Sequence, residues 1–202
     1  MKSQKSIALP GRPRAFNLEQ ALDRAIEVFW EKGYEGASLS DLTQAMGINR
    51  PSLYAAFGNK EALFRRALDR YACGTTAFIQ QALREPTARA VVERFLRQTA
   101  DHLGNRKGPR GCLIVQGALS CGDEADPIRQ ELISRRAAIM AMLRKRFEQA
   151  KSEGDLPANS DPAGLARFVT AVTHGMSVQA VNGATRAQLK QVVDIALRAW
   201  PA

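Results

Sequence analysis

Residues 50–54 read Arg-Pro-Ser-Leu-Tyr, a run whose side chains have the chemistry needed to contact bases and phosphates in DNA. The guanidinium of Arg50 can donate two parallel hydrogen bonds to O6 and N7 of guanine, and the Ser52 hydroxyl can donate or accept. Pro51 offers an apolar edge to a thymine methyl group, while Tyr54, one helical turn after Arg50, can direct its hydroxyl at a phosphate. This chemistry requires that the run lie at the exposed start of a helix.

The flanking residues predict that helix and a second one before it, joined by a tight turn. Asn49 is a suitable N-cap for a helix from about Arg50 to Phe57, with a proline in its first turn, where a missing N–H is harmless. The preceding helix begins after Ser38, which forms a capping box with Asp41, and ends at Met46. Two short helices in this arrangement fit a helix-turn-helix, whose second helix reads bases with its N-terminal residues.

Two longer helices complete this N-terminal unit. One runs from about Leu18 to Lys32, with Asn17 as its N-cap and Gly33 as a left-handed stop. The other begins at Lys60, after the capping residue Asn59, and reaches about Tyr71. The first-turn amides of the second and fourth helices are ready-made phosphate sites.

The composition is that of an all-α globular protein, with 45% hydrophobic and 24% charged residues among 202. No apolar run approaches the roughly 18 residues of a membrane span, so we expect no membrane partner and a cytoplasmic location. Cys73, Cys112 and Cys121 are odd in number and form no C-x-x-C pair. Neither a disulfide framework nor a metal site is therefore indicated, and no cofactor is expected.

The net charge of +9 suits a nucleic-acid partner, and residues 1–14 contain bases but no acid. Within this arm, Gly11-Arg12-Pro13-Arg14 resembles the hooks whose arginines enter a narrow minor groove. A tail that is merely solubilising explains the same residues. If Arg12 and Arg14 contact DNA, removing residues 1–14 weakens binding and flattens its salt dependence; an unchanged salt slope would exclude the arm from the interface.

The remainder of the chain predicts five more helices, and therefore about nine in all. Their starts include Asp126-Pro127, Asp161-Pro162 and a capping box of Thr185 with Gln188. The predicted ranges are 86–104, 112–121, 127–153, 162–181 and 186–200. The chain thus divides into a basic arm at 1–14, a helix-turn-helix domain at 15–72 and a larger helical bundle at 73–202.

Residues 36–42, GASLSDL, and 46–64, MGINRPSLYAAFGNKEALF, resemble the signature of the TetR family of transcriptional regulators. The resemblance is dense over about residues 16–71, and the rest of the chain matches only in length and helical layout. It implies a homodimeric repressor that binds a pseudo-palindromic operator in double-stranded DNA and is released by a small-molecule effector. DNA contacts are implied for Ser38, Ser40, Arg50, Pro51, Ser52, Tyr54 and Lys60.

The same resemblance implies that the last two helices pair across a two-fold axis and that helices five to eight enclose the effector. Small residues on the penultimate helix permit close helix approach: Ala171, Gly175, Ser177 and Ala180. Apolar stripes are available from Val172, Leu189, Val193 and Leu197. Packing of these stripes within one chain is the alternative.

Candidate effector contacts are of two kinds. Polar residues on otherwise apolar segments need a partner, which a ligand or a neighbouring helix can provide: His102, Gln116 and His174. Apolar residues with helical spacing are either pocket wall or ordinary core, and core is the simpler interpretation: Phe95, Met140 and Phe168.

Cys112 is a further candidate effector contact, and it also supports an alternative function, a regulator that senses oxidants or electrophiles. The basic stretch at 106–110 and a predicted helix start both favour a reactive thiolate there. Cys121 lies on the opposite face of the predicted helix, which excludes a disulfide between the two.

Two other classes of protein fit the sequence less well. An enzyme is not indicated, because no phosphate-cradling glycine motif or catalytic set is present. A general nucleic-acid chaperone using the basic loop at 104–111 would bind DNA without sequence preference, so competition with unrelated duplex separates it from a specific regulator.

Overall fold

The computed structural model describes residues 17–104, 108–119 and 122–201, and over these ranges the chain is all-α, as predicted. The nine α-helices of the described ranges are α1 Leu18–Gly36, α2 Leu39–Met46, α3 Arg50–Phe57, α4 Lys60–Leu83, α5 Ala88–Leu103, α6 Leu113–Gln116, α7 Asp126–Ser152, α8 Pro162–Val181 and α9 Arg186–Arg198. A single 3-10 turn, Asp123–Ala125, precedes α7.

Side-chain caps begin the helices of the N-terminal unit, as predicted. The Oδ1 atoms of Asn49 and Asn59 each accept from the amide three residues further on, at 2.8 and 2.7 Å. Ser38 and Asp41 form the complete capping box at the start of α2. Because each cap satisfies an amide that would otherwise lack a partner, the geometry of α2, α3 and α4 is specified locally.

Two glycines with positive φ shape the same unit. Gly47 ends α2 at φ 66° and opens the turn into α3. Gly33, at φ 69°, interrupts α1 where its end was predicted, but helical structure resumes as far as Gly36. Just after this break, the Tyr34 N–H donates to the Gly117 carbonyl at 2.8 Å. The kink therefore ties α1 to the segment that follows α6.

Helix α4 is longer than predicted. Its end was expected near Tyr71, but it continues to Leu83. Residues 72–83 contain no proline, and Ile79 and Ala82 are buried against the C-terminal core, so packing carries the helix onward. Helix α4 thus passes without a break from the helix-turn-helix unit into the larger bundle.

Two predictions in the middle of the chain were wrong. The helix expected at 112–121 is only Leu113–Gln116, because the Gly117 carbonyl bonds to α1 rather than to a further helical turn. Asp126 does not cap α7: the 3-10 turn leads directly into that helix, and the Asp126 carboxylate pairs with Arg129. Because the helix ends at Gln116, the prediction that Cys121 lies on its opposite face no longer applies. Cys121 itself lies outside the described residues. The starts predicted at Asp161 and Thr185 are confirmed.

The buried apolar residues form two clusters. One lies among the four helices α1, α2, α3 and α4 and includes Leu53 and Phe64, both fully buried. Leu113 from α6 and Leu132 from α7 also belong to it. The other joins α4, α5, α7, α8 and α9. The first core thus extends beyond the residues predicted for the helix-turn-helix domain, so α6 and α7 also support the short helices.

Candidate DNA-binding surface and internal cavity

The start of α3 presents the predicted reading residues on its outer side. Arg50, Pro51 and Tyr54 are exposed, Tyr54 by 46%, and Ser52 is half-buried. The Arg50 side chain makes no hydrogen bond or ion pair with any residue that the structure describes. On the opposite side, Leu53 is fully buried in the N-terminal core. The helix is therefore anchored by one face and free on the other.

The first turn of α2 flanks this surface. Ser38 is exposed, but its hydroxyl donates to Asp41 Oδ2 at 2.8 Å and accepts from the Asp41 N–H at 3.0 Å, so the hydroxyl is committed to the cap. Ser40 is exposed. By their position in the first turn, the amides of residues 39 and 40 have no carbonyl partner within the helix and can receive a phosphate.

Asp41 is kept ionised beside this site. Lys32 Nζ lies 2.8 Å from Asp41 Oδ1. This contact, together with donation from the hydroxyl and N–H of Ser38, lowers the pKa of Asp41 to about 2. The Lys32 ammonium offsets the negative charge that an approaching phosphate would meet.

Lys60, at the start of α4, is half-buried rather than extended into solvent. Its ammonium lies 4.7 Å from the centroid of the Tyr34 ring and donates to the Glu35 carbonyl at 3.4 Å. Burial lowers the pKa of Lys60. The side chain predicted to contact DNA is thus also a link between α4 and the kinked end of α1. Arg12 and Arg14, the predicted contacts in the arm, lie outside the described residues.

An internal cavity of about 60 Å³ lies in the C-terminal bundle, between α4, α5, α7, α8 and the start of α6. Four of the predicted effector residues line it: Phe95, His102, Cys112 and His174. Most of the remaining wall is apolar and includes Phe78 and Ile79 from the second half of α4. The cavity therefore meets the same helix whose first turn flanks the DNA-binding surface.

Burial holds the two cavity histidines towards their neutral forms. It lowers the pKa of His102, and burial with the nearby charge of Arg136 lowers the pKa of His174. The His102 Nε2 atom lies 3.4 Å from the Tyr71 hydroxyl. Burial, reinforced by contact with the Cys112 thiol, raises the pKa of Tyr71. At neutral pH both histidines and Tyr71 are therefore predominantly uncharged.

Three predicted effector residues do not line the cavity. Gln116 lies beside it, where its Nε2 atom donates to the Ser177 carbonyl at 3.4 Å. Met140 packs on the C-terminal core instead. Phe168 is 37% exposed on the outer side of α8, because six residues of helix separate it from His174 and turn it away.

Sequence reasoning missed five polar residues of the cavity lining: Thr99, Arg136, Thr170, Thr173 and Ser177. Arg136 Nη1 donates to the Ile114 carbonyl at 2.7 Å. Ser177 was expected between helices because it is small, yet it is fully buried and lines the cavity. The signal was present on α8, where Thr170, His174 and Ser177 share one helical face at spacings of four and three residues.

The sensing alternative centred on Cys112 is not favoured by its surroundings. The thiol contacts Tyr71 and lines the cavity rather than the basic stretch. Residues 106 and 107 of that stretch lie outside the described residues, and Arg110 lies beside Gly183 at the end of α8. The helix that Cys112 precedes has only four residues.

The predicted dimer stripes divide between two faces. Leu189, Val193 and Leu197 are buried within the chain, as are Ser177 and Ala180, so intrachain packing is correct for them. The other predicted residues, Ala171, Val172 and Gly175, lie on the outer side of the two helices. They form an apolar strip there with Phe168 and Val178 on α8 and with Val192 and Ile195 on α9.

Over the described ranges, no helix combines the length and the apolar character that crossing a membrane requires. Nor do the residues described there include three or more His, Cys, Asp or Glu grouped so that they could hold a metal ion.

Two family models match the chain. "Bacterial regulatory proteins, tetR family" matches residues 21–67, and "Tetracyclin repressor-like, C-terminal domain" matches residues 85–196. Together they include both the helix-turn-helix and most of the bundle that contains the cavity.

Named relatives agree with these models. The HTH-type transcriptional repressor ComR of Escherichia coli K12 is 34% identical over 193 residues, which cover 95% of this chain and 92% of ComR. The repressor BdcR of the same organism is 39% identical over 131 residues, 63% of this chain and 66% of BdcR. Among solved structures, a cysteine-substituted CifR complexed with 26-base-pair operator DNA has 45% identity and a TM-score of 0.90, covering 94% of this chain and all of the CifR chain.

Proposed function

Since this chain belongs to the TetR family of transcriptional regulators, we propose that it is a homodimeric repressor that binds a pseudo-palindromic operator through α3. Binding of a small molecule in the internal cavity releases the repressor from its operator. Arg50, Pro51 and Ser52 contact bases, and Tyr54 contacts a phosphate. The first turns of α2 and α4, with Ser38, Ser40 and Lys60, hold further phosphates. Because the proposed repressor acts on DNA, we expect it in the cytoplasm.

The unpaired side chain of Arg50 carries the proposal. It stands exposed at the N-terminal end of a helix whose other face is held by the buried Leu53. In a helix-turn-helix this end of the second helix faces the base edges. A guanidinium without an internal partner keeps its donors for guanine. Repression rather than activation is supported by ComR and BdcR, which are both repressors.

Selection from random duplexes tests sequence-specific binding. We expect an inverted repeat whose half-site centres lie about one turn of DNA apart. The selected site should be preferred over unrelated duplex by about a thousandfold or more. Equal binding to both would contradict the proposal and support the nucleic-acid chaperone instead.

The exposed strip of α8 and α9 is the proposed dimer interface. Its apolar side chains include Val178, 44% exposed, and Ile195, 58% exposed, while Gly175, three residues before Val178 on α8, permits close approach of a partner helix. An exposed apolar surface on two adjacent helices is the feature expected of a symmetric four-helix contact. A dimer joined here presents two copies of α3 to one duplex.

Ile195→Glu tests this interface, because a charge buried without a partner opposes association. We expect the variant to sediment as a monomer and to lose cooperative binding to the inverted repeat. Leu119→Glu is a matched control, since Leu119 is 57% exposed but lies outside α8 and α9. A dimeric Ile195→Glu protein would exclude this face.

Two structural connections support release by an effector. Helix α4 contributes Phe78 to the cavity and its first turn to the DNA-binding surface. The α6 segment contributes Val115 to the cavity, and the adjacent Gly117 carbonyl accepts from the Tyr34 N–H at 2.8 Å. A hundredfold loss of operator affinity requires about 2.7 kcal/mol of coupling, and the operator must weaken effector binding by the same factor.

A further inference from the structure

Ser177 has a hydroxyl group that the folded chain leaves unsatisfied. Its side chain is fully buried and lines the cavity, and its Oγ atom has no hydrogen-bond partner. Of the buried polar side-chain atoms without a partner in the described ranges, only this one belongs to a residue that lines the cavity. A buried polar group without a partner is costly, so it calls for an explanation.

Two neighbouring hydroxyls on the same face of α8 show how a buried hydroxyl in a helix is usually hydrogen-bonded. Thr170 Oγ1 donates to the Ala166 carbonyl at 3.0 Å, and Thr173 Oγ1 donates to the Val169 carbonyl at 2.8 Å. Each bond returns one turn along the helix, as buried hydroxyls in helices commonly do. Ser177 alone of the three keeps its donor available to the cavity.

The charges around the cavity disfavour a cationic ligand. Its lining includes Arg136 but no carboxylate, so a cation would meet a like charge without compensation. The threonine hydroxyls are used by their own helix, but Arg136 engages only its Nη1 group with described residues, the carbonyls of Ile114 and Val115, so an oxygen acceptor in the cavity meets free donors. Burial also lowers the pKa of both lining histidines, which keeps them neutral.

The size of the cavity limits the ligand further. One water-sized sphere needs roughly 10–15 Å³, and the cavity has about 60 Å³. This volume corresponds to about four to six non-hydrogen atoms. The mainly apolar wall matches a hydrocarbon body, and the free Ser177 hydroxyl matches an oxygen acceptor.

From these observations we propose that the cavity binds a small, mainly apolar molecule without positive charge, an oxygen of which accepts a hydrogen bond from Ser177. The inference rests on the proposed effector role of this cavity and names the chemical class that the effector has. The Ser177 hydroxyl donates to the oxygen of the ligand, and the apolar wall packs against the hydrocarbon part of the ligand.

Four probes of matched size test the class by ligand-observed NMR titration of the full-length protein at neutral pH: 2-butanone, butyrate, n-butylammonium and n-pentane. We expect 2-butanone and butyrate to bind, since each offers an oxygen acceptor, and n-butylammonium to bind at least about tenfold more weakly, because its charge meets Arg136 with no carboxylate to pair it. Stronger binding of n-butylammonium than of 2-butanone would overturn the inference, as would no binding of 2-butanone.

Ser177→Ala tests the hydrogen bond from Ser177 to the ligand. It should weaken 2-butanone binding about fivefold, which corresponds to one hydrogen bond, and leave n-pentane binding unchanged. Ser152→Ala, at an exposed helical serine of α7, is the matched control and should alter neither. Equal 2-butanone affinity for wild type and Ser177→Ala would overturn the inference.

Thermal unfolding of the ligand-free protein gives a second readout. Because Ser177→Ala removes an unsatisfied buried hydroxyl, it should raise Tm by about 2–4 °C, whereas Ser152→Ala should not. A lowered Tm would show that the hydroxyl has a partner in the free protein and would overturn the inference.

Anisotropy of a labelled operator separates this inference from the proposed function. Ser177-dependent binding of 2-butanone without any change in operator affinity would support the inference and contradict the effector role. Release of operator by 2-butanone from wild type and Ser177→Ala alike would support the effector role and overturn the inference.

Discussion

The helix-turn-helix and the cavity differ in whether their polar groups have hydrogen-bond partners. Around α2, α3 and α4 the cap oxygens of Ser38, Asn49 and Asn59 each accept a backbone N–H, and the unpaired Arg50 stands in solvent. In the cavity, the hydroxyl of Ser177 is buried without a partner. A surface of the first kind is complete before DNA arrives. In the proposed function, a site of the second kind is completed by its ligand.

This difference also appears in how the two regions are packed. Leu53 is fully buried in the core below α3, whereas Ile139 of α7 is only partly buried and faces the cavity. A dense core fixes a reading helix in one orientation, because well-packed residues have few alternative arrangements. A cavity leaves room for the surrounding helices to move when it is filled.

Truncation of one residue in each region should give the largest measured difference. Leu53→Ala should lower the free energy of unfolding by about 2–5 kcal/mol, because it leaves a hole in a close-packed core. Ile139→Ala should cost less, since part of its side chain already faces empty space. Urea denaturation measures both changes. Equal losses would mean that the cavity wall is packed as tightly as the small core.

Loss of a cap should have a smaller effect. Asn49→Ala removes the oxygen that accepts the Ser52 N–H at 2.8 Å and should lower the free energy of unfolding by about 1 kcal/mol. Asn159→Ala, at an exposed asparagine in the connection before α8, should leave it unchanged. If the two variants unfold alike in urea, the start of α3 does not depend on its cap.

A pH titration should give the smallest effect and should arise in the cavity. His102 and His174 are the two histidines of the chain, and burial lowers the pKa of each below the usual 6.5. The unfolded chain therefore binds protons that the folded one excludes, so stability falls as pH drops below about 6.5.

We accordingly expect Tm to decrease by a few degrees as pH falls from about 7 to 5.5, a window in which few carboxylates titrate. His102→Gln with His174→Gln should flatten that decrease. A Tm that rises on acidification in wild type would show that the histidines are stabilised in their charged forms.

The sequence predicted the DNA-binding half well because its signals are local. Capping residues and Gly47 act within a few positions, so the bounds of α2 and α3 follow from neighbouring residues. The extension of α4 beyond Tyr71 and the shortness of α6 depend on distant contacts, such as the bond from Tyr34 to Gly117. No local pattern contains those contacts.

Residues of the cavity were predicted only in part for the same reason. His102 and His174 were identified because polar residues on apolar helices attract attention, and both line the cavity. Phe168 was misplaced because helical spacing alone does not say which face of α8 points inward. Ser177 was assigned to helix contacts by its size, and only the fold shows that its hydroxyl lacks a partner.

Base preference of Arg50→Ala tests the central claim, that α3 reads DNA through its N-terminal edge. Affinities are measured for the selected operator and for single-base variants at each position, with Arg144→Ala, on the exposed face of α7, as the control. We predict that Arg50→Ala costs roughly 1–3 kcal/mol on the operator and relaxes preference at one base pair in each half-site. A uniform loss on every duplex would make Arg50 a phosphate contact and contradict the account.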